Sequence, residues 1–176
     1  MTPNKKIQQI QKSTSRLLQL ADVNEPPIPV ERMARLLGAQ LRYVPFEGEL
    51  SGLLSQEQGR IIIGVNELHP KTRQRFTIAH ELGHLQLHHS SELHIDHHYR
   101  ILLRSERSSQ AIDPEEIEAN MFAAELLMPQ AMLEKDIGEQ AIDYEDDEMI
   151  RTLAHRYKVS LQAMIFRLTN LKFITL

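Results

Sequence analysis

The stretch RFTIAHELGHLQLHH, residues 75–89, decides how the rest of the chain is interpreted. It contains the motif H-E-x-x-H at positions 80–84. Residues four apart lie one above the other on a helix, so His80 and His84 can hold one ion between their imidazoles. Glu81 is offset by about 100° around the axis, where it can act as general base for a water that the metal activates. Neutral imidazole suits Zn²⁺, so the motif predicts a zinc site with a base beside it.

The residues around the motif predict that its helix is buried. Apolar side chains cover most of the helix surface, and a polar stripe runs between them, formed by Thr77, His80, Glu81, His84 and His88. Polar groups on a buried helix need partners. The alternative is a solvated face with two incidental histidines, and the apolar surroundings favour the metal site over it.

A second predicted helix, in DPEEIEANMFAAELLMP (113–129), offers a third ligand. Catalytic zinc usually takes three protein ligands and keeps one position open. Glu116 and Asn120 are four apart on one face, so Glu116 can ligate the metal while Asn120 hydrogen-bonds a ligand. Glu118 points about 200° away from Glu116 and is the weaker candidate. A third interpretation is a capping box, with Asp113 as N-cap and Glu116 used locally at N3.

The hydrophobic periodicity predicts helices on both sides of a small sheet. The predicted helices cover 5–22, Val30–Leu37, Thr72 to about His88, Asp113 to Met128, roughly Asp146–Tyr157 and Ser160–Leu171, and the predicted strands are Gln40–Val44, Leu50–Leu54 and Arg60–Val65. We expect an α+β fold in a single domain, mostly helical, with a small antiparallel three-stranded sheet and a zincin-like active-site helix. Within this domain, 1–38 would form N-terminal helices, 40–128 the sheet and active-site helices, and 130–176 a C-terminal helical portion.

Composition excludes several classes of protein. The 176 residues are 41% hydrophobic and 25% charged, as in an ordinary soluble domain, and no apolar run is long enough for a membrane span. Cysteine is absent, which excludes a disulfide framework and thiolate zinc ligands. The first residues lack the apolar stretch of a secretory signal, so we expect a cytoplasmic protein. The net charge of −4 argues against a protein that coats nucleic acid.

A histidine-rich segment, HHSSELHIDHHYR (88–100), follows the motif helix. His94, His97 and His98 are spaced closely enough for a second metal site, although such a run is more often a polar surface loop. Tyr99 or one of these histidines is a candidate for stabilising an oxyanion, and nothing in the sequence selects among them.

The last two predicted helices have the outline of a helix-turn-helix. A DNA reader carries basic side chains on its second helix, but 160–171 contains only Arg167. Its apolar row favours packing onto the rest of the domain. A DNA-binding module, or a non-catalytic regulator stabilised by a metal, is the alternative to an enzyme.

Several segments resemble the ImmA/IrrE family of metallo-endopeptidases. They are RIIIGVN (60–66), RFTIAHELGHLQLH (75–88), EIEANMFAAELLMP (116–129) and, more loosely, YKVSLQAMIFRLTNL (157–171). The resemblance implies zinc on His80 and His84 and a general base at Glu81. The gluzincin-like arrangement of a ligand Glu followed four residues later by Asn favours Glu116 with Asn120.

The resemblance also implies a protein substrate. Many family members cleave a helix-turn-helix repressor of the Cro/C1 type and thereby induce genes of mobile elements or stress responses. No helix-turn-helix domain precedes the protease in this sequence, so we expect the repressor to be encoded separately. We expect neither direct nucleic-acid binding nor a membrane association.

Overall fold

The computed structural model describes residues 3–48, 50–87, 93–96, 113–138 and 147–174. In these ranges the helices are α1 (Pro3–Leu20), α2 (Val30–Leu36), α3 (Lys71–Gln86), α4 (Pro114–Leu127), α5 (Gln130–Ile137), α6 (Asp147–Tyr157) and α7 (Leu161–Asn170), and the strands are β1 (Ala39–Val44), β2 (Gly52–Glu57), β3 (Arg60–Asn66) and β4 (Leu93–Asp96). The buried apolar residues form one cluster that reaches from α1 and α2 through the sheet and α3 to the last helices. The expected class, a single and mostly helical α+β domain, is confirmed.

The sheet is mixed, which corrects the expectation of an antiparallel three-stranded sheet. Its strand order is β1-β3-β2-β4. β2 is antiparallel to β3, whereas β1 is parallel to β3. The chain reverses direction after β1 and again after β2, as the turn residues predict, but β3 inserts between the two earlier strands. β1 and β3 therefore run the same way. β4, in the histidine-rich segment, adds an antiparallel edge beside β2 that the sequence did not predict.

Helix α3 lies against the sheet and is the most deeply placed helix of the described chain. Gln74 and every residue from Thr77 to His84 are buried. Ile78 and Leu82, four apart, belong to the same core cluster as Ile63 of β3 and Leu54 of β2. The start of α3 is fixed by Arg75, which donates to the carbonyl oxygens of Ile28 (2.8 Å) and Lys158 (3.3 Å). Segments before α2 and after α6 thus hold the motif helix in place.

Helix α4 packs along α3 and α1, and Arg167 of α7 pairs with Glu125 of α4. Between α4 and α6 lies α5, a helix that is absent from the predicted elements because a proline directly after Met128 is typical of a helix end. Pro129 is instead the N-cap of α5, and Gly138, at φ +68°, ends it. Within the described ranges, no helix combines the length and apolarity needed to cross a bilayer.

Candidate metal centre

The two histidines of α3 meet at the contact between α3 and α4. The side chains of His80 and His84 are each 2% exposed, and their Nε2 atoms lie 3.0 Å apart. One helical turn separates the two residues, so both rings leave the helix on the same face. Their rings meet edge to face, with 4.7 Å between centroids. This face of α3 therefore presents two imidazole nitrogens to one point.

Helix α4 brings a carboxylate to the same point. The Glu116 oxygens lie 3.5 Å from His80 Nε2 and 3.3 Å from His84 Nε2. Asp113 caps the helix by accepting from the backbone N–H of Glu115 at 2.9 Å. The Glu116 carboxylate faces the imidazoles, which favours the ligand interpretation over a local role in a capping box. Glu118, the weaker candidate, forms an ion pair with Lys6 of α1.

The three donors have a spacing that fits a metal ion. One ligand atom from each of His80, His84 and Glu116 lies within 4.8 Å of the others. Tetrahedral zinc, with donors about 2.0–2.1 Å away, holds those donors roughly 3.3 Å apart. The two Nε2 atoms are 3.0 Å apart, and each lies near that distance from one of the two Glu116 oxygens, 3.5 Å between His80 Nε2 and Oε2 and 3.3 Å between His84 Nε2 and Oε1. Two imidazoles and one carboxylate also form a donor set that zinc commonly takes.

Asn120 orients one of the imidazoles. Its Oδ1 lies 2.9 Å from His80 Nδ1. An amide oxygen only accepts, so this contact assigns the ring proton to Nδ1 and leaves the lone pair of Nε2 for the metal. Outer-shell contacts of this kind fix the tautomer and the ring angle of ligating histidines. The Glu116 and Asn120 face expected from their four-residue spacing is the face that α4 turns toward α3.

Gly83 sets the separation of α3 and α4. A Cβ at this position would lie 3.0 Å from the Ala119 Cα and 3.1 Å from the Ala119 carbonyl oxygen. Both neighbours are backbone atoms, so a methyl group would force the helices apart. Glycine at this position therefore keeps Glu116, on the next turn of α4, within reach of the histidines. No local pattern in the sequence predicts this role of Gly83.

Glu81 lies beside the histidines under strand β2. Its side chain is 0% exposed. Gly52 of β2 passes directly over it. The approach is so close that a Cβ on Gly52 would lie 2.3 Å from Thr77 Cγ2 and 3.3 Å from Glu81 Oε1. Only glycine allows the strand to cross the helix so closely. An isolated glycine inside a β-like run is the signal that predicts such an approach, and the sequence interpretation did not use it.

The other predicted histidine sites lie in a part of the chain that the structure describes only in backbone or not at all. The backbone of His94 belongs to β4, while His97, His98 and Tyr99 lie outside the described residues. The second metal site and the oxyanion candidates therefore stay predictions.

Comparison with known families agrees with the candidate metal site that the geometry suggests. Residues 34–169 match the IrrE N-terminal-like domain of peptidase family M78. The chain belongs to this family. The matched range includes all of α3 and α4, and so every residue of the His80, His84 and Glu116 group. Membership in a peptidase family, together with this group, indicates a site suited to a divalent metal.

Two curated proteins are similar to this member of the IrrE-like family. The radiation response metalloprotease IrrE of Deinococcus radiodurans is 31% identical over 138 residues, which are 78% of this chain and 39% of that protein. Uncharacterized immunity region protein 2 of Bacillus phage phi105 is 32% identical over 81 residues, 46% of this chain and 46% of that protein. The chain thus spans less than half the length of both relatives.

Proposed function

We propose that the protein is a zinc-dependent endopeptidase of the ImmA/IrrE type. The observation that carries this proposal is the triangle of His80, His84 and Glu116 donors with a buried carboxylate, Glu81, on the adjoining helix position. A metal held only for structure is normally enclosed by four protein ligands, whereas three ligands leave a coordination position for chemistry. The peptidase family of the chain supports the same conclusion.

Each residue of the centre has a distinct task in this proposal. His80, His84 and Glu116 hold the ion, and Asn120 keeps His80 in the tautomer that can bind it. Bound zinc supplies a Lewis acid that polarises a peptide carbonyl and makes a water molecule more acidic. Glu81 accepts a proton from the attacking water at its carboxylate and returns it to the nitrogen of the leaving amine. Because Glu81 is buried on α3 beneath β2, the proton that it carries is shielded from bulk water.

The substrate class we propose is a Cro/C1-type helix-turn-helix repressor, whose cleavage would derepress mobile-element or stress genes. The printed names of the two relatives, a radiation response metalloprotease and a phage immunity region protein, fit regulation of this kind. The net charge of −4 would steer a basic, DNA-binding partner toward the enzyme. We place the reaction in the cytoplasm, where such a repressor acts.

The contacts of α7 disfavour the alternative, a protein that binds DNA through this helix. Arg167, the one basic residue in 160–171, donates from Nε to the Met128 carbonyl oxygen at 3.0 Å and forms an ion pair with Glu125. Its charge is therefore compensated inside the protein and is not presented to a phosphate. An interaction module stabilised by metal would keep its partner intact, which the following experiment detects.

The test is cleavage of a repressor encoded beside the gene, followed by intact-mass analysis after co-expression. Wild type should cut the repressor at one site. Glu81→Gln should fold and retain zinc but cleave at least about 10²-fold more slowly, because it lacks the general base. Glu118→Gln removes a carboxylate that pairs with Lys6 and serves as the matched control, with cleavage close to wild type. An intact repressor with zinc-loaded wild type, or near-normal cleavage by Glu81→Gln, would refute the mechanism.

A further inference from the structure

A cavity of about 440 Å³ lies next to the metal centre, between α1, α4 and α7. Its wall is largely apolar and includes Ile10, Ala124, Met128, Ala163, Phe166 and Leu171. Small-molecule sites occupy about 300–1,000 Å³ and combine an apolar wall with a few polar groups. The volume and lining therefore match a ligand site, and none of His80, Glu81, His84 and Glu116 lines it.

The polar groups of the wall select an uncharged ligand. Its two charged side chains, Glu125 and Arg167, neutralise each other in an ion pair, and Arg167 also donates to the Met128 carbonyl oxygen. The other polar side chains that line the cavity are amides, namely Gln11, Asn120, Gln130 and Asn170. Amides donate and accept hydrogen bonds without adding charge. A charged ligand would lose its hydration without gaining a counter-ion.

Asn120 connects the cavity to the metal centre. Its Oδ1 lies 2.9 Å from His80 Nδ1, while the same side chain lines the cavity. A ligand that accepts a hydrogen bond from Asn120 Nδ2 would hold the amide with Oδ1 toward His80. Phe76, whose ring centroid is 6.4 Å from that of His80, lines the cavity as well. The contact is made on the Nδ1 side of the ring, away from Nε2, so the cavity does not compete with a peptide at the metal.

We propose that this cavity binds an uncharged, mostly apolar small molecule with a hydrogen-bond acceptor, and that the ligand strengthens metal binding through Asn120. The binding itself is independent of the proposed peptidase activity, whereas its effect on zinc rests on the proposed metal centre. Coupling between two sites is reciprocal, so zinc must strengthen ligand binding by the same factor.

Binding can be tested with Prodan, an uncharged naphthalene ketone whose emission moves to shorter wavelength in apolar surroundings. Ala163→Trp fills the cavity and should weaken Prodan binding at least about tenfold, because the space is lost. Gln162→Trp is the matched control, since this exposed neighbour on α7 does not line the cavity. Phe166→Ala, at an exposed position of the wall, should also weaken binding without disturbing the core.

Wild type should bind one Prodan and prefer it to the anion 1-anilinonaphthalene-8-sulfonate. Saturating Prodan should lower the zinc dissociation constant by about fivefold or more in wild type, the lower end of usual couplings, and leave it unchanged in Ala163→Trp. Equal Prodan binding by wild type, Ala163→Trp and Phe166→Ala would overturn the site. Preference for the anion would overturn the ligand class, and an unchanged zinc affinity would overturn the coupling. Dimerisation that abolishes Prodan binding would identify a second copy of the chain as the occupant instead.

Discussion

Toward α3, helix α4 is packed so closely that one methyl group on Gly83 would lie 3.0 Å from the Ala119 backbone, whereas toward α1 and α7 it borders a cavity of about 440 Å³. The closely packed face carries Glu116, and the cavity face carries Ala124 and Met128. Asn120 belongs to both. Roughly 100° of rotation per residue allows one helix to present two such faces.

The difference shows what each task requires of packing. A metal ion needs donors held at fixed separations, which backbone-to-backbone contact provides. An exchangeable small ligand needs space that protein atoms leave unfilled, and such space forfeits dispersion contacts. Added side-chain volume should therefore destabilise the closely packed face and be tolerated on the cavity face.

The largest effect is expected from the ligand carboxylate itself. Glu116→Gln should reduce zinc affinity by more than the roughly 10–100-fold that loss of an outer-shell partner costs, because a neutral amide replaces a charged donor. Glu118→Gln, two residues away and paired with Lys6, should retain zinc. Elemental analysis after dialysis against a weak chelator measures both. Equal zinc content in the two variants would reject Glu116 as the third ligand.

Asn120 should give the next largest effect. Asn120→Ala removes the acceptor at His80 Nδ1 and should weaken zinc binding about 10–100-fold, as outer-shell substitutions do. Asn170→Ala removes a cavity amide that has no contact with the histidines, so zinc affinity should stay at the wild-type value. Competition with a fluorescent zinc chelator measures both variants. The same loss in Asn170→Ala would show that the effect comes from the cavity and not from His80.

Local spacing explains why the histidine pair and the Glu116 and Asn120 face could be predicted from the sequence. Periodicity along one helix determines which side chains share a face, and burial follows from the apolar residues around them. How closely two helices approach is determined by residues far apart in the chain. Gly83 and Ala119 are such a pair, and neither has a local pattern that predicts the contact.

The misassigned parts of the fold have similar causes. The sequence predicts β1, β2 and β3 but not the edge strand β4, and the insertion of β3 between β1 and β2 depends on tertiary packing. Helix α5 had a readable signal in Leu133 and Ile137, which are buried four residues apart and followed by Gly138. Pro129 made the signal ambiguous, because a proline that follows one helix can also begin the next one. The cavity needs α1, α4 and α7 together, and no single segment predicts it.

Gly83→Ala should destabilise the closely packed face. An alanine in a helix interior normally stabilises by about 1 kcal/mol relative to glycine. Here the added methyl group meets backbone atoms of Ala119, so we expect the free energy of unfolding to fall by about 1–3 kcal/mol, as in other overpacked cores. Zinc affinity should fall too, since Glu116 moves away with α4. Urea unfolding of the metal-free protein measures the first effect, and a more stable Gly83→Ala would contradict the close contact.

The smallest effect is expected where α4 borders the cavity. Ala124→Leu adds three carbons that can extend into unfilled space, so the free energy of unfolding should change by less than about 1 kcal/mol, with stabilisation favoured by the added apolar contact. Ala123→Leu makes the same chemical change one residue away, at a side chain that is 0% exposed in the core, and should cost about 1–3 kcal/mol through overpacking. Because both variants replace alanine by leucine in the same helix, their difference in helix propensity cancels. Urea unfolding of the two metal-free variants should therefore separate them clearly. Equal losses would mean that the space beside Ala124 is not available to a side chain, and would remove the physical distinction between the two faces of α4.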